Sequence, residues 1–156
     1  MTADLPEAGV RIRTADAADL DAIMALERAS FGASAWEAGT MRAEIASEWG
    51  RYLAAVEPGG RLVGYAGLRA VGVEGDVQTI AVSADARGRG VGRALLAELL
   101  AEAERRGVQE LFLEVRADNP VARGLYESVG FREIGVRPRY YQPEDVDAVV
   151  MKRETR

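Results

Sequence analysis

A chain of 156 residues, 48% hydrophobic and 29% charged, has room for one domain and the composition of a soluble globular protein. It has no Cys and no His, which excludes disulfides, thiol nucleophiles, zinc sites of the usual ligands and Ser-His-Asp triads, and leaves Asp, Glu, Tyr, the single Lys152, a terminus or water as acid or base. A formal charge of −5 argues against binding nucleic acid through its backbone and suits a basic acceptor.

Residues 10–13 alternate as a strand, after which Asp16 caps a helix carrying Leu20, Ile23, Met24, Leu26 and Glu27 at helical spacing. A second helix is expected over 37–48, with Glu37, Glu44 and Glu48 on a solvated face. Segments 52–56 and 62–68 flank Pro58-Gly59-Gly60, a hairpin signal, and Glu74-Gly75-Asp76 reads as the turn before a strand ending at Val82. From Val91, the positions Leu95, Leu96, Leu99, Leu100 and Ala103 make one helical face, ended by Gly107. A strand over 111–116, a helix opened by Asn119 as N-cap and Pro120 at its first position, and a last strand complete the pattern. This predicts an α/β (α+β) domain with a mixed sheet and helices on both faces. No apolar run approaches the ~18 to 20 residues of a membrane span, and Met1-Thr2-Ala3-Asp4-Leu5-Pro6-Glu7 lacks the basic start and apolar stretch of a secretory signal, so a cytoplasmic protein is expected.

The segment between the strand and the long helix is the most informative. Arg87-Gly88-Arg89-Gly90-Val91-Gly92-Arg93 places glycines at alternate positions, which lets backbone amides at a helix mouth approach an anion without Cβ interference. A pyrophosphate is the expected ligand; a tight turn with no ligand is the other reading. A nucleoside triphosphate loop would end in Gly-Lys-Ser/Thr, whereas Gly92 is followed by Arg93 and Ala94. A dinucleotide loop would need a third glycine where Arg93 stands.

Arg87, Gly90 and Gly92 fit the pattern Arg/Gln-x-x-Gly-x-Gly, and the segment resembles the acetyl-CoA loop of the GCN5-related N-acetyltransferases (GNAT). Downstream, Leu113-Glu114-Val115-Arg116, Asn119-Pro120 and Leu125-Tyr126-Glu127-Ser128-Val129-Gly130-Phe131 are similar to the second half of that family. With Arg137-Pro138-Arg139-Tyr140-Tyr141, they resemble its RimI group, whose members acetylate the N-terminal alanine of ribosomal protein S18. The likeness is firm from about Val77 to Met151; before that, Phe31 and Trp36-Glu37 alone are similar to the family's substrate side. Two departures bear on acceptor choice: Gly32-Ala33-Ser34-Ala35 precedes Trp36 where a proline is common, and Pro138 interrupts the usual Arg-Arg-x-Tyr-Tyr.

The resemblance implies a single GNAT domain over 1–156, a mostly antiparallel sheet splayed between its fourth and fifth strands, and acetyl-CoA as co-substrate with no metal. It implies CoA contacts from the backbone of Ile80, Ala81 and Val82, from Arg87, Gly88, Arg89, Gly90, Val91, Gly92 and Arg93, and from Asn119. Glu114 is the implied base and Tyr126 the implied acid, while Trp36, Tyr140 and Tyr141 would wall the acceptor groove. Each has a plainer alternative: Glu114 as a solvated strand residue paired with Arg116, Tyr126 as core, Asn119 as cap alone, the arginines as solvated, and the three aromatics as packing. The implied partner is the N-terminal peptide of a ribosomal protein, without nucleic acid or membrane, and association with tRNA threonylcarbamoylation proteins is a further expectation. An α-amine with pKa near ~8 is easier to deprotonate than lysine at ~10.4, by on the order of 3 kcal/mol, which suits a carboxylate base. Acetylation of lysine or a small amine, or acetyl-CoA binding without chemistry, are the competing readings.

Overall fold

The computed structural model describes residues 3–5 and 9–155; part of the N-terminal stretch read for a secretory signal lies outside them. In chain order the elements are β1 (Ala3–Leu5), β2 (Val10–Thr14), α1 (Leu20–Phe31), α2 (Ala38–Ala46), β3 (Gly50–Val56), β4 (Leu62–Val71) and β5 (Glu74–Val82). They continue with α3 (Val91–Arg105), β6 (Glu110–Arg116), α4 (Pro120–Ser128), β7 (Arg132–Tyr141) and β8 (Val146–Glu154). Among the described residues the strands form one eight-stranded sheet in the order β1-β2-β3-β4-β5-β6-β8-β7. All neighbours pair antiparallel except β5 with β6.

The helices begin and end where local chemistry dictates. Asp16 accepts the amide of Ala18 and Asp19 returns to the amide of Asp16, a capping box that opens the turn into α1. Arg13 grips Asp19 with two bonds of 2.8 Å, fixing β2 to this helix start. α3 ends before Gly107, whose φ of +77° suits glycine. Its face of Leu95, Leu96, Leu99, Leu100 and Ala103 is buried, together with Tyr126 of α4 and with Phe131, against one side of the sheet. Ile23 and Met24 of α1 and Met41 of α2 bury the other side, with Tyr52 and Tyr65. Both faces of the sheet are therefore covered, as expected from the order of strands and helices.

The segment Glu74-Gly75-Asp76 is strand, not turn. The turn lies at Gly72-Val73, with Gly72 at φ +64°. Its three residues pair with Val71, Ala70 and Arg69 of β4 on one side and with Glu110, Leu111 and Phe112 of β6 on the other. Pairing on both edges overrides the low strand preference of Glu, Gly and Asp.

The parallel contact of β5 with β6 ends at Asp76↔Phe112. Beyond it the strands part, which is the splay expected between the fourth and fifth strands; the short β1 makes them fifth and sixth here. A second irregularity lies beside it. Gly67 faces Thr79 while Leu68 faces Val77, so Gln78 is an extra residue in β5, a β-bulge. Tyr52, the cross-strand partner of Gly67 on β3, lays its ring over that glycine and donates from its hydroxyl to Gln78 Oε1 at 3.0 Å.

A Cβ at Gly67 would lie 2.2 Å from Tyr52 Cζ. Gly67→Ala is expected to lose about 1–3 kcal/mol of stability, read by urea unfolding, because the buried ring has no free rotamer to escape into.

Candidate functional site

The splay opens into a cleft of about 1140 Å³, walled by β5, β6, the start of α4, the Tyr140-Tyr141 end of β7 and the α1–α2 connection. The β5 wall offers backbone. Ser83 N–H donates to Val63 O at 2.8 Å, and alternation along the antiparallel ladder turns the amides of Ile80 and Val82 the other way, towards the cleft. β6 no longer pairs there. The side chains of Ile80 and Val82 pack on the core, and Ala81 is buried on the opposite face, so these residues present main chain to the cleft.

The glycine loop bends as its sequence requires. Gly88 and Gly90 have φ of +76° and +81°, and Gly90 is the N-cap of α3 with no side-chain cap over the first amides. At Gly92 a methyl group would touch Val82 at 3.6 Å and Leu125 at 3.9 Å, narrowing the cleft floor. These features fit a pyrophosphate with a thin arm running on between β5 and β6. Arg87 lines the cleft and donates from Nε to Val82 O at 3.1 Å. Arg89 reaches Asp85 O at 2.5 Å and Arg93 reaches Ser128 Oγ at 3.1 Å, while the Val91 side chain is core. Asn119 caps α4 by accepting the Ala122 amide at 3.1 Å, and it also lines the cleft.

Glu114 stands between buried Leu113 and Val115 and projects to the other side, into the cleft. The alternative partner Arg116 is not its partner. Arg116 turns to Asp118 at 3.0 Å and Glu144 at 3.3 Å and lies 5.2 Å from the Tyr141 ring centre. Glu114 is instead paired with Arg137 of β7. Val150 of β8 faces both Glu114 and Gly135, so Arg137, two residues along, shares the face of Glu114.

Tyr126 lies across the cleft on α4, edge-on to Phe131 at 5.9 Å. Burial, then the neighbouring Tyr141, holds its phenol far above the ordinary range, so it keeps its proton at neutral pH. Trp36, Tyr140 and Tyr141 all line the cleft. Tyr140 and Tyr141 meet edge-on at 5.2 Å, and burial followed by the charge of Glu114 pushes Tyr141 up to about 12.

The model of the acetyltransferase (GNAT) family matches residues 20–131. The chain belongs to the GNAT acetyltransferase family. It is 42% identical to the N-alpha-acetyltransferase RimI of Mycobacterium tuberculosis over 99% of this chain and 98% of that protein. It is 45% identical to the ribosomal protein bS18-alanine N-acetyltransferase of Escherichia coli over 59% of this chain and 64% of that protein. The crystal structure of an Escherichia coli ribosomal-protein-S18-alanine N-acetyltransferase superposes with a TM-score of 0.84 at 34% identity, covering 93% of both chains. An uncharacterized protein of Mycobacterium leprae is 45% identical over 92% of this chain, which spans 40% of that protein's length. Membership makes this an acetyl-CoA-dependent N-acetyltransferase, as the loop led us to expect. Among the described residues no helix is long and apolar enough to cross a membrane.

The GNAT cleft also holds residues that the sequence reading passed over. Asp76, taken for a turn, lines it; partial desolvation and then the charge of Glu114 keep its carboxyl above the usual range. Gln78 enters through the bulge. Glu27, read as one member of an apolar helical face, is 1% exposed and borders the cleft. A glutamate in the inward stripe of an amphipathic helix was the signal that could have flagged it.

Burial raises the Glu27 carboxyl above the usual range, outweighing its hydrogen bonds to Trp36 and Thr79. The folded chain keeps this proton at pH values where the unfolded chain has lost it. Its contribution to stability is therefore full below the ordinary glutamate pKa and is lost as pH rises through the raised value. Urea unfolding between about pH 4 and pH 7 should show a smaller loss of stability with rising pH in Glu27→Gln than in the wild type.

Proposed function

We propose that this enzyme transfers acetyl from acetyl-CoA to the N-terminal α-amine of a protein, with the N-terminal alanine of ribosomal protein S18 as acceptor. One observation carries the reading: Glu114, the protonated phenol of Tyr126 and the outward amides of β5 share a single cleft. The choice of acceptor is supported by relatives that bear that activity in their names and match at 34–45% identity.

Acetyl-CoA supplies an activated thioester; the chain supplies position and proton handling. The glycine loop and the start of α3 hold the pyrophosphate through backbone amides, with Arg87 and Arg89 beside it. The Val82 amide donates to the thioester oxygen as negative charge builds there. Glu114 accepts the proton of the incoming amine, directly or through water, and Tyr126 gives its phenolic proton to the departing sulfur. Trp36, Tyr140 and Tyr141 wall the entry of the peptide. Arg137 is paired with Glu114 and would yield it to the incoming amine.

Initial rates with acetyl-CoA should be high for a short peptide copying the S18 N-terminus and absent for the same peptide with its α-amine blocked and a lysine retained. Acetylation of the blocked peptide would move the enzyme to the lysine class; silence on both would leave small amines or binding alone. Glu114→Gln should lower kcat by on the order of 10²-fold and raise the apparent pH optimum while leaving acetyl-CoA affinity intact, and unchanged turnover would remove Glu114 from the mechanism.

A further inference from the structure

Glu27 has no part in the proton transfers described above, yet it is among the most buried side chains of the molecule. It projects from α1 at a position where Ile23 and Met24 pack into the core, and where an apolar residue would cost nothing in desolvation. Its partners are three donors from three separate parts of the chain. Oε2 accepts the backbone N–H of Trp36 at 3.0 Å. Oε1 accepts the hydroxyl of Tyr65 on β4, and that of Thr79 on β5 at 3.4 Å. Among the described residues no Arg or Lys forms an ion pair with it, so the carboxylate is an acceptor hub and not half of a salt bridge.

Two of the three partners, Trp36 and Thr79, line the cleft, and Tyr65 lies buried in the core. Trp36 ends the connection that leaves α1 through Gly32, at φ +53°, and forms the acceptor wall. The connection's own turn supplies the bond from Ala35 N–H to Gly32 O at 3.1 Å, whereas Trp36 N–H is directed to Glu27. Thr79 lies between the bulged Gln78 and Ile80, on the strand whose amides face the thioester path. A single carboxylate thus spans from the wall that would receive the peptide to the strand that would hold the acetyl group.

We propose that Glu27 is a positioning residue, which fixes the acceptor wall at Trp36 against β4 and β5 so that the amine enters in register with the acetyl group. The inference rests on the acetyl-transfer reading of this cleft and goes beyond it in assigning the wall's geometry to one buried acceptor. Loss of the carboxylate frees the Trp36 amide and loosens the wall, while the glycine loop and α3, on the far side of the sheet, are untouched. Acceptor binding then suffers and acetyl-CoA binding does not.

Two readouts test this on the full chain. In steady-state assays with the free-terminus peptide, Glu27→Ala should raise the acceptor KM about tenfold, with kcat within about threefold and acetyl-CoA affinity unchanged. Glu27→Gln should bring the acceptor KM back to within about threefold of wild type, because its amide oxygen still accepts from Trp36 N–H and its NH2 can donate to Tyr65. The chain has two tryptophans, so a Trp49→Phe background leaves Trp36 as the fluorophore. Acrylamide quenching of Trp36 should rise in Glu27→Ala and stay at the wild-type level in Glu27→Gln. If the alanine variant is unfolded, Glu27→Met fills the volume without an acceptor and should reproduce both effects.

A fall in kcat with acceptor KM unchanged, or equal quenching in all variants, overturns the proposal. A wild-type enzyme silent on the peptide would overturn the acceptor assignment instead, and the quenching contrast alone would then decide whether Glu27 holds the wall.

Discussion

The separation of β5 from β6 after three residue pairs governs the rest of the molecule. Each strand is secured on its outer edge: β5 pairs with β4 along its length, and β6 pairs with β8 from Glu110 to Arg116. Neither needs the other to be stable, so their inner edges can diverge while a hydrophobic core is kept on each face of the sheet. The amides of Ile80 and Val82, which a continuous ladder would consume, remain available for a ligand. A cleft whose wall is unpaired main chain is what a thioester oxygen and an extended arm require.

Polar groups around this gap differ because their surroundings differ. Glu114 is exposed and faces Arg137, Asp76 feels its partial burial and the charge of Glu114, and Glu27 is sealed in with neutral donors. Tyr126, buried beside Phe131, keeps its proton. A carboxyl group paired with an arginine and a protonated phenol thus share one cleft, which suits acceptance of a proton on one side and donation on the other.

Much of this was legible in the chain. Leucine periodicity marked α3, Asn119-Pro120 marked the start of α4, and alternate glycines marked the phosphate-type turn, because each signal is local and its physics acts within a few residues. Alternation along β6 turns Glu114 away from buried Leu113 and Val115. What escaped had a non-local cause. Asp76 stands in a segment with turn-like residues, held as strand by partners on two sides. The Arg137 partner of Glu114 reaches it across β8, and a residue as close in sequence as Arg116 was no guide to it. Glu27 looked like one position of a helical stripe because nothing in sequence links it to Trp36, Tyr65 and Thr79.

The sequence by itself determined most of the elements, the bend of the glycine loop and the family, since these depend on short-range backbone preference and on side-chain pattern. The tertiary structure alone decided where β5 and β6 part, which cation faces the cleft carboxylate and which buried acceptor ties Trp36 to the sheet. Those outcomes depend on strand register and on the match of donors to acceptors across tens to more than fifty residues of chain, as from Glu27 to Thr79. Short-range preferences cannot encode such pairings, because each group finds its partner when the sheet closes.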